Sequence, residues 1–171
     1  MVASRLTTAV KRWLRPRRAQ PTASRGAPTS DTTLDGVRFE YNPSLDGDAD
    51  PGEVVWTWVP FEEDAKQGKD RPVLIIGRRG RSRQRLVGLM LTSKDHDRDA
   101  ANQSRHGRLW MDVGTGAWDQ QRRPSEVRLD RLLDIDARTV RREGAALDRA
   151  VFERVVAAVR ERHDQPSSSS T

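Results

Sequence analysis

No cysteine occurs in this 171-residue chain. That excludes a disulfide framework, a thiolate metal site and a cysteine nucleophile. Histidine is scarce too: His96, His106 and His163 stand apart, without the spacing that zinc sites use. A two-histidine acid–base pair on His96 and His106 is conceivable, but both read more simply as loop residues. Neither a GxxxxGK[ST] loop nor a GxGxxG fingerprint is present, so a P-loop or dinucleotide-binding unit has no support. "DHDRD" (95–99) offers three alternating carboxylates but lacks the glycine and the distal glutamate of a calcium loop, and reads as solvated loop. Apolar runs such as "LVGLML" fall far short of the ~20 residues that span a bilayer. Nor does an apolar stretch follow the first basic residues, as a secretory signal requires. The expectation is a soluble, cytoplasmic protein with no metal, no cofactor and no membrane partner.

What the chain does have is charge, unevenly placed. The net charge is +6. Residues 1–30 carry seven cations and no anions, whereas residues 31–64 carry ten anions and one cation. Residues 65–128 then hold fifteen cations against seven anions, and the remainder balances at eight of each. A basic block inside the folded part suits a polyanion, or equally an acidic protein. Arginine outnumbers lysine 27 to 4, so no single arginine is informative by itself.

Composition divides the chain into three. Residues 1–49 read as a largely disordered arm, basic and then acidic, because Pro, Ser, Thr and charged residues leave little to bury. Its first fifteen residues space Val2, Leu6, Val10, Trp13 and Leu14 helically, which fits a short basic amphipathic helix or simply a disordered basic tail. Residues 50–163 read as the domain, and 164–171 as a disordered polar tail. Within the domain, "GEVVWTWVPF", "PVLIIG", "LVGLMLTS", "LWMDV" and "SEVRL" are short β-rich runs. "RRGRSRQR" reads as the tip of a hairpin joining the second and third. Gln67, Gly68 and Lys69 read as loop before the second run. A helix follows: Asp148 is its N-cap, Leu147 and Phe152 staple it, and Phe152, Val155, Val156 and Val159 form its apolar stripe. The pattern implies a mainly β fold with a C-terminal helix, a small antiparallel barrel or a strongly bent sheet.

One juxtaposition carries chemistry. If residues 72–77 and 86–93 pair as a hairpin, Arg71 at the start of one strand meets Thr92 and Ser93 at the end of the other. Pro72 biases Arg71 toward extended backbone and so restricts where its guanidinium points. An arginine and two hydroxyls converging on one spot can hold a phosphate and stabilise charge growing on it.

These same residues resemble a family. "PGEVVW", "QGKDRPVLII", "LVGLMLTSK" and "PSEVRLDRLLDID" resemble, in order, ordered motifs of the PemK/MazF toxins of type II toxin–antitoxin systems. The resemblance implies a small SH3-like β-barrel with a C-terminal helix, usually a homodimer with its RNA groove at the subunit interface. It implies a metal-independent, sequence-selective endoribonuclease that cuts single-stranded RNA such as mRNA and is neutralised by an antitoxin protein. Arg71 matches the family's arginine and Thr92 its strand-end hydroxyl, so these two are the implied catalytic residues. Ser93, Lys94, Gln67, Lys69 and Trp56 are candidate RNA contacts. Relatives of this barrel also poison DNA gyrase by binding, without cutting, so a non-catalytic toxin or a degenerate RNA-binding member is the alternative. The arm before residue 50 has no counterpart in compact members, and "FEEDAKQGKD" is acidic for a loop bordering an RNA groove.

Overall fold

The computed structural model describes residues 34–44, 46–94, 103 and 105–164. The basic arm through residue 33, the acidic stretch at 95–99 with His96, and the tail from 165 lie outside the described residues. Among the described residues eight strands are formed: β1 (Val37–Phe39), β2 (Glu53–Pro60), β3 (Gly68–Arg79), β4 (Arg85–Thr92), β5 (Trp110–Gly114), β6 (Ser125–Arg128), β7 (Leu133–Asp136) and β8 (Arg142–Ala146). Among the described residues, a 3-10 turn at Ala137–Thr139 and the helix α1 (Arg149–Asp164) complete the order. Every strand pairing is antiparallel, in the order β5-β6-β4-β3-β2-β8, with β1 on β3 and β7 on β4. The result is a curled half-barrel sheet with a C-terminal helix, the mainly β architecture that the short runs imply.

Both faces of the sheet are covered, which explains why its strands are apolar at successive rather than alternate positions. Val54, Leu74, Leu89, Leu91 and Val127 line one face and pack with Trp118 and the α1 stripe of Phe152, Val155, Val156 and Val159. Val55, Val59, Val73, Ile75, Met90, Leu133 and Ile135 line the other, closed at its margin by Trp110, Ala137 and Val140. Gly88 is where β3 and β7 press on β4 from either side: a Cβ there would meet Val73 Cγ1 at 2.6 Å and Ile135 Cδ1 at 2.9 Å. The helix begins as its sequence suggests, since Asp148 Oδ1 accepts from the N–H groups of Ala150 (2.9 Å) and Val151 (3.2 Å). Of the "RRGRSRQR" connector, residues 80–84 form the turn between β3 and β4, with Gly80 at φ 65°, while its first two arginines end β3 and its last begins β4.

Two boundaries differ from the sequence reading. Residues 34–41, expected in the arm, join the sheet and its core. β1 runs along the distal end of β3, pairing Val37 with Arg79 and Phe39 with Gly77. Leu34, Val37, Phe39 and Tyr41 pack on the helix-side core. The Tyr41 hydroxyl donates to the Leu147 carbonyl at 2.7 Å, and its ring meets Phe152 edge-on at 5.1 Å. Three residues of "VRF" are too short a run to stand out among acidic neighbours; tertiary pairing makes the strand. Second, β3 begins at Gly68, four residues earlier than "PVLIIG". Gly68, Lys69, Asp70 and Arg71 pair with Pro60, Val59, Trp58 and Thr57 in turn, and Gln67 belongs to a hydrogen-bonded turn. Charged residues there hid a strand that is solvated along this end.

Candidate functional site

Register sorts the candidate residues onto faces. Thr57 stands opposite Arg71 across β2–β3, and Val73 opposite Met90 across β3–β4. Continuing that register by two residues brings Arg71 level with Thr92, the last residue of β4. Thr92 in turn pairs with Glu126 on β6, and Glu126 with Asp112 on β5. Paired residues project to the same side. One polar row therefore crosses the sheet: Thr57, Arg71, Thr92, Glu126, Asp112. Arg71 thus lies within β3 rather than at its start, but at the same hairpin end as Thr92.

Arg71 is half-buried and has no hydrogen-bond or ion-pair partner among the described residues. Its sequence neighbour Asp70 projects to the opposite face and pairs there with Arg141 at 2.7 Å. Burial first, and then the charge of Arg131, hold the Arg71 guanidinium below the ordinary arginine range. Arg131 is buried and donates to the Pro60 carbonyl at 3.1 Å, beside the start of β3. Two like charges close together in a partly dry setting form a site that an anion would relieve. Thr57, directly across from Arg71, is 3% exposed, and its hydroxyl has no partner among the described residues. A buried hydroxyl without a partner is unusual enough to need a reason.

The Thr92 hydroxyl accepts from the Lys94 backbone N–H at 3.1 Å. That contact turns the chain at the strand end and leaves the hydroxyl proton free to donate outward. Ser93 and Lys94 follow directly and are exposed. Gln67 is exposed; its side-chain amide donates to Asp64 at 3.0 Å, and Asp64 organises the β2–β3 turn. Lys69 is exposed, with its ammonium 5.8 Å from the centre of the Phe61 ring. Trp56 is not brought to this group. It pairs with Pro72, on the face opposite Arg71, and its indole N–H donates to the Trp118 carbonyl at 3.0 Å.

Sequence reasoning missed a second cationic group on the Arg71 face. Arg128, two residues past Glu126, is almost fully buried and bonds Asp130 (2.6 Å) and Glu62 (2.6 Å). Its guanidinium lies 6.0 Å from the Trp110 ring. Arg108 reaches Glu62 at 3.3 Å. Burial works to lower Arg128, but hydrogen bonds and charge from Asp130 and Glu62 outweigh it and raise it. Glu62 sits 66 residues from Arg128, so only the fold joins them. Among the described residues no group of three or more acidic or histidine side chains is placed to hold a metal ion. No helix of the described residues is long and apolar enough to cross a membrane.

With this geometry in view, the comparisons with known proteins add one result. The family model described as the PemK-like, MazF-like toxin of type II toxin–antitoxin systems matches residues 50–162, from β2 through most of α1. No curated protein matches the chain.

Proposed function

Since the chain belongs to the PemK-like, MazF-like toxin family of type II toxin–antitoxin systems, we propose that it is a cytoplasmic endoribonuclease toxin that cuts single-stranded RNA. One observation carries the reading: a half-buried arginine with no anionic partner among the described residues shares a sheet face and a hairpin end with a hydroxyl that is free to donate. Both groups suit a phosphodiester. A ribose 2′-oxygen bonds to the adjacent phosphorus while the bond to the 5′-oxygen breaks, giving a cyclic phosphate and a 5′-hydroxyl end. The 2′ proton leaves to water and the 5′-oxygen regains one. Arg71 stabilises the extra charge on the phosphorane, and Thr92 donates to a non-bridging oxygen. Neither role requires a metal.

A single strand is the fitting substrate because its phosphates can follow a strongly curved sheet and its bases can splay outward. Ser93, Lys94, Gln67 and Lys69 border the row as RNA contacts. Trp56, on the other face, would contribute by holding Trp118 and the sheet rather than by touching RNA. An antitoxin protein and a second copy of the chain are the partners that family membership suggests.

The test is cleavage of RNA by purified protein in the presence of EDTA, beside an Arg71→Ala variant. Cyclic-phosphate ends from the wild type and none from the variant are expected. Cleavage that depends on added metal, or that the variant retains, would sink the mechanism. Growth arrest without RNA fragments would instead indicate a toxin that acts by binding.

A further inference from the structure

The acidic β2–β3 turn does something specific. Phe61 through Gln67 close on themselves, with the Phe61 N–H donating to the Gln67 carbonyl at 2.8 Å and that of Gln67 to the Asp64 carbonyl at 3.0 Å. From this closed turn Glu62 reaches β6 and the segment before β5, where one carboxylate oxygen meets Arg128 at 2.6 Å and the other meets Arg108 at 3.3 Å. Glu63 adds a longer approach to Arg108 at 3.8 Å. Arg128 lies on β6, the strand that pairs with the Thr92 end of β4, so the bridge from Glu62 ties the β2–β3 turn to β6.

We propose that Arg108 and Arg128 form a second phosphate-binding subsite, which the carboxylate of Glu62 fills until the backbone of a single-stranded RNA displaces it. A carboxylate shared by two guanidinium groups marks a place where an anion is stable. Arg128 stands two residues along β6 from the partner of Thr92, about 7 Å by strand rise. A nucleotide next to the one held by Arg71 and Thr92 would bring its phosphate there. Asp130 and the Trp110 ring hold Arg128 from its other sides, so it keeps its place when Glu62 leaves. Glu62 and Arg108 are each about one-third exposed, which leaves the exchange open to solvent. Burial works to raise the Glu62 carboxyl, yet Arg128, Arg131 and Arg108 hold it below the ordinary range, so it stays an anion. The turn thereby also acts as a latch on the proposed subsite.

The proposal rests on the ribonuclease reading, and two assays separate them. The first measures binding of a degenerate 2′-O-methyl oligoribonucleotide pool, which cannot be cut, over a range of salt. Glu62→Gln is expected to bind about fivefold tighter, with a salt slope steeper by about 0.7, the signature of one added phosphate contact. Adding Arg108→Ala, a part-exposed position, should remove that gain. The second measures hydrogen exchange without RNA, where Glu62→Gln should accelerate the amides of residues 61–67. Accelerated exchange with no gain in affinity would overturn the subsite, as would a double variant that binds as tightly as Glu62→Gln. Release of the turn by a polyglutamate peptide but not by the RNA pool would overturn it in favour of a protein partner. If Arg71→Ala still cuts RNA while the Glu62 effects appear as expected, the cleavage mechanism fails and the subsite stands.

Discussion

Arg71 faces Thr57 directly across the β2–β3 ladder; among the described residues the half-buried cation has no anionic partner and the buried hydroxyl no hydrogen-bond partner. Unmatched polar groups side by side reduce the stability of the fold unless a ligand completes them. Thr57→Val keeps the shape and removes the hydroxyl. It is expected to leave stability unchanged or raise it by up to about 1 kcal/mol in urea unfolding. If the hydroxyl meets substrate, RNA cleavage falls in the same variant. Loss of both stability and cleavage would show that the hydroxyl serves the fold instead.

Thr92 separates geometry from chemistry. Thr92→Val removes both the acceptor for the Lys94 N–H and the outward donor. Thr92→Ser keeps both. The expected result is a drop in cleavage of about 10²-fold or more for valine and substantial rescue by serine, the loss that follows removal of one donor to a developing anion. Equal activity of the two variants would remove Thr92 from the reaction.

Much of this arrangement is legible in the sequence. The apolar runs marked the strands, and one assumed hairpin put Arg71 and Thr92 at one end. Asp148 announced its cap because capping is local chemistry. What was hidden depended on register or on distance along the chain. Trp56 and Arg71 fall on opposite faces because Thr57, not Trp56, aligns with Arg71, and turn length decides that by a single residue. Arg128 and Arg131 were two arginines among many, and nothing local joins either to Glu62 or to Pro60. β1 was lost in an acidic stretch that is tied to the sheet by tertiary contacts alone.

The Glu62 latch has a pH signature. Its folded carboxyl lies below the unfolded value. The stability it contributes is therefore present above the unfolded glutamate pKa of about 4.3 and is lost as pH falls through the lower folded value. Urea midpoints of the wild type and Glu62→Gln should differ most above about pH 5 and converge on acidification. A difference that widens with acid would mean that Glu62 is not held by its arginines.

The N-terminal segment is part of the fold, and removing it should show. Tyr41→Phe deletes the hydrogen bond to the Leu147 carbonyl and should cost about 1 kcal/mol, read as a lower thermal midpoint. A chain starting at residue 50 should lose more, because Leu34, Val37, Phe39 and Tyr41 leave the helix-side core together. Equal midpoints for chains starting at 34 and 50 would reduce β1 to an ornament.

An unpaired, half-buried Arg71 beside Arg131 also links ligand occupancy to folding. A protein that half-buries Arg71 with no anionic partner among the described residues is less stable empty than filled, so anything that supplies an anion there raises its melting temperature by mass action. Arg71→Met should melt higher than the wild type in plain buffer and lose the stabilisation that polyanions give it. In the cell the toxin would then be longest-lived while engaged, and the free molecule would be the form most open to proteolysis.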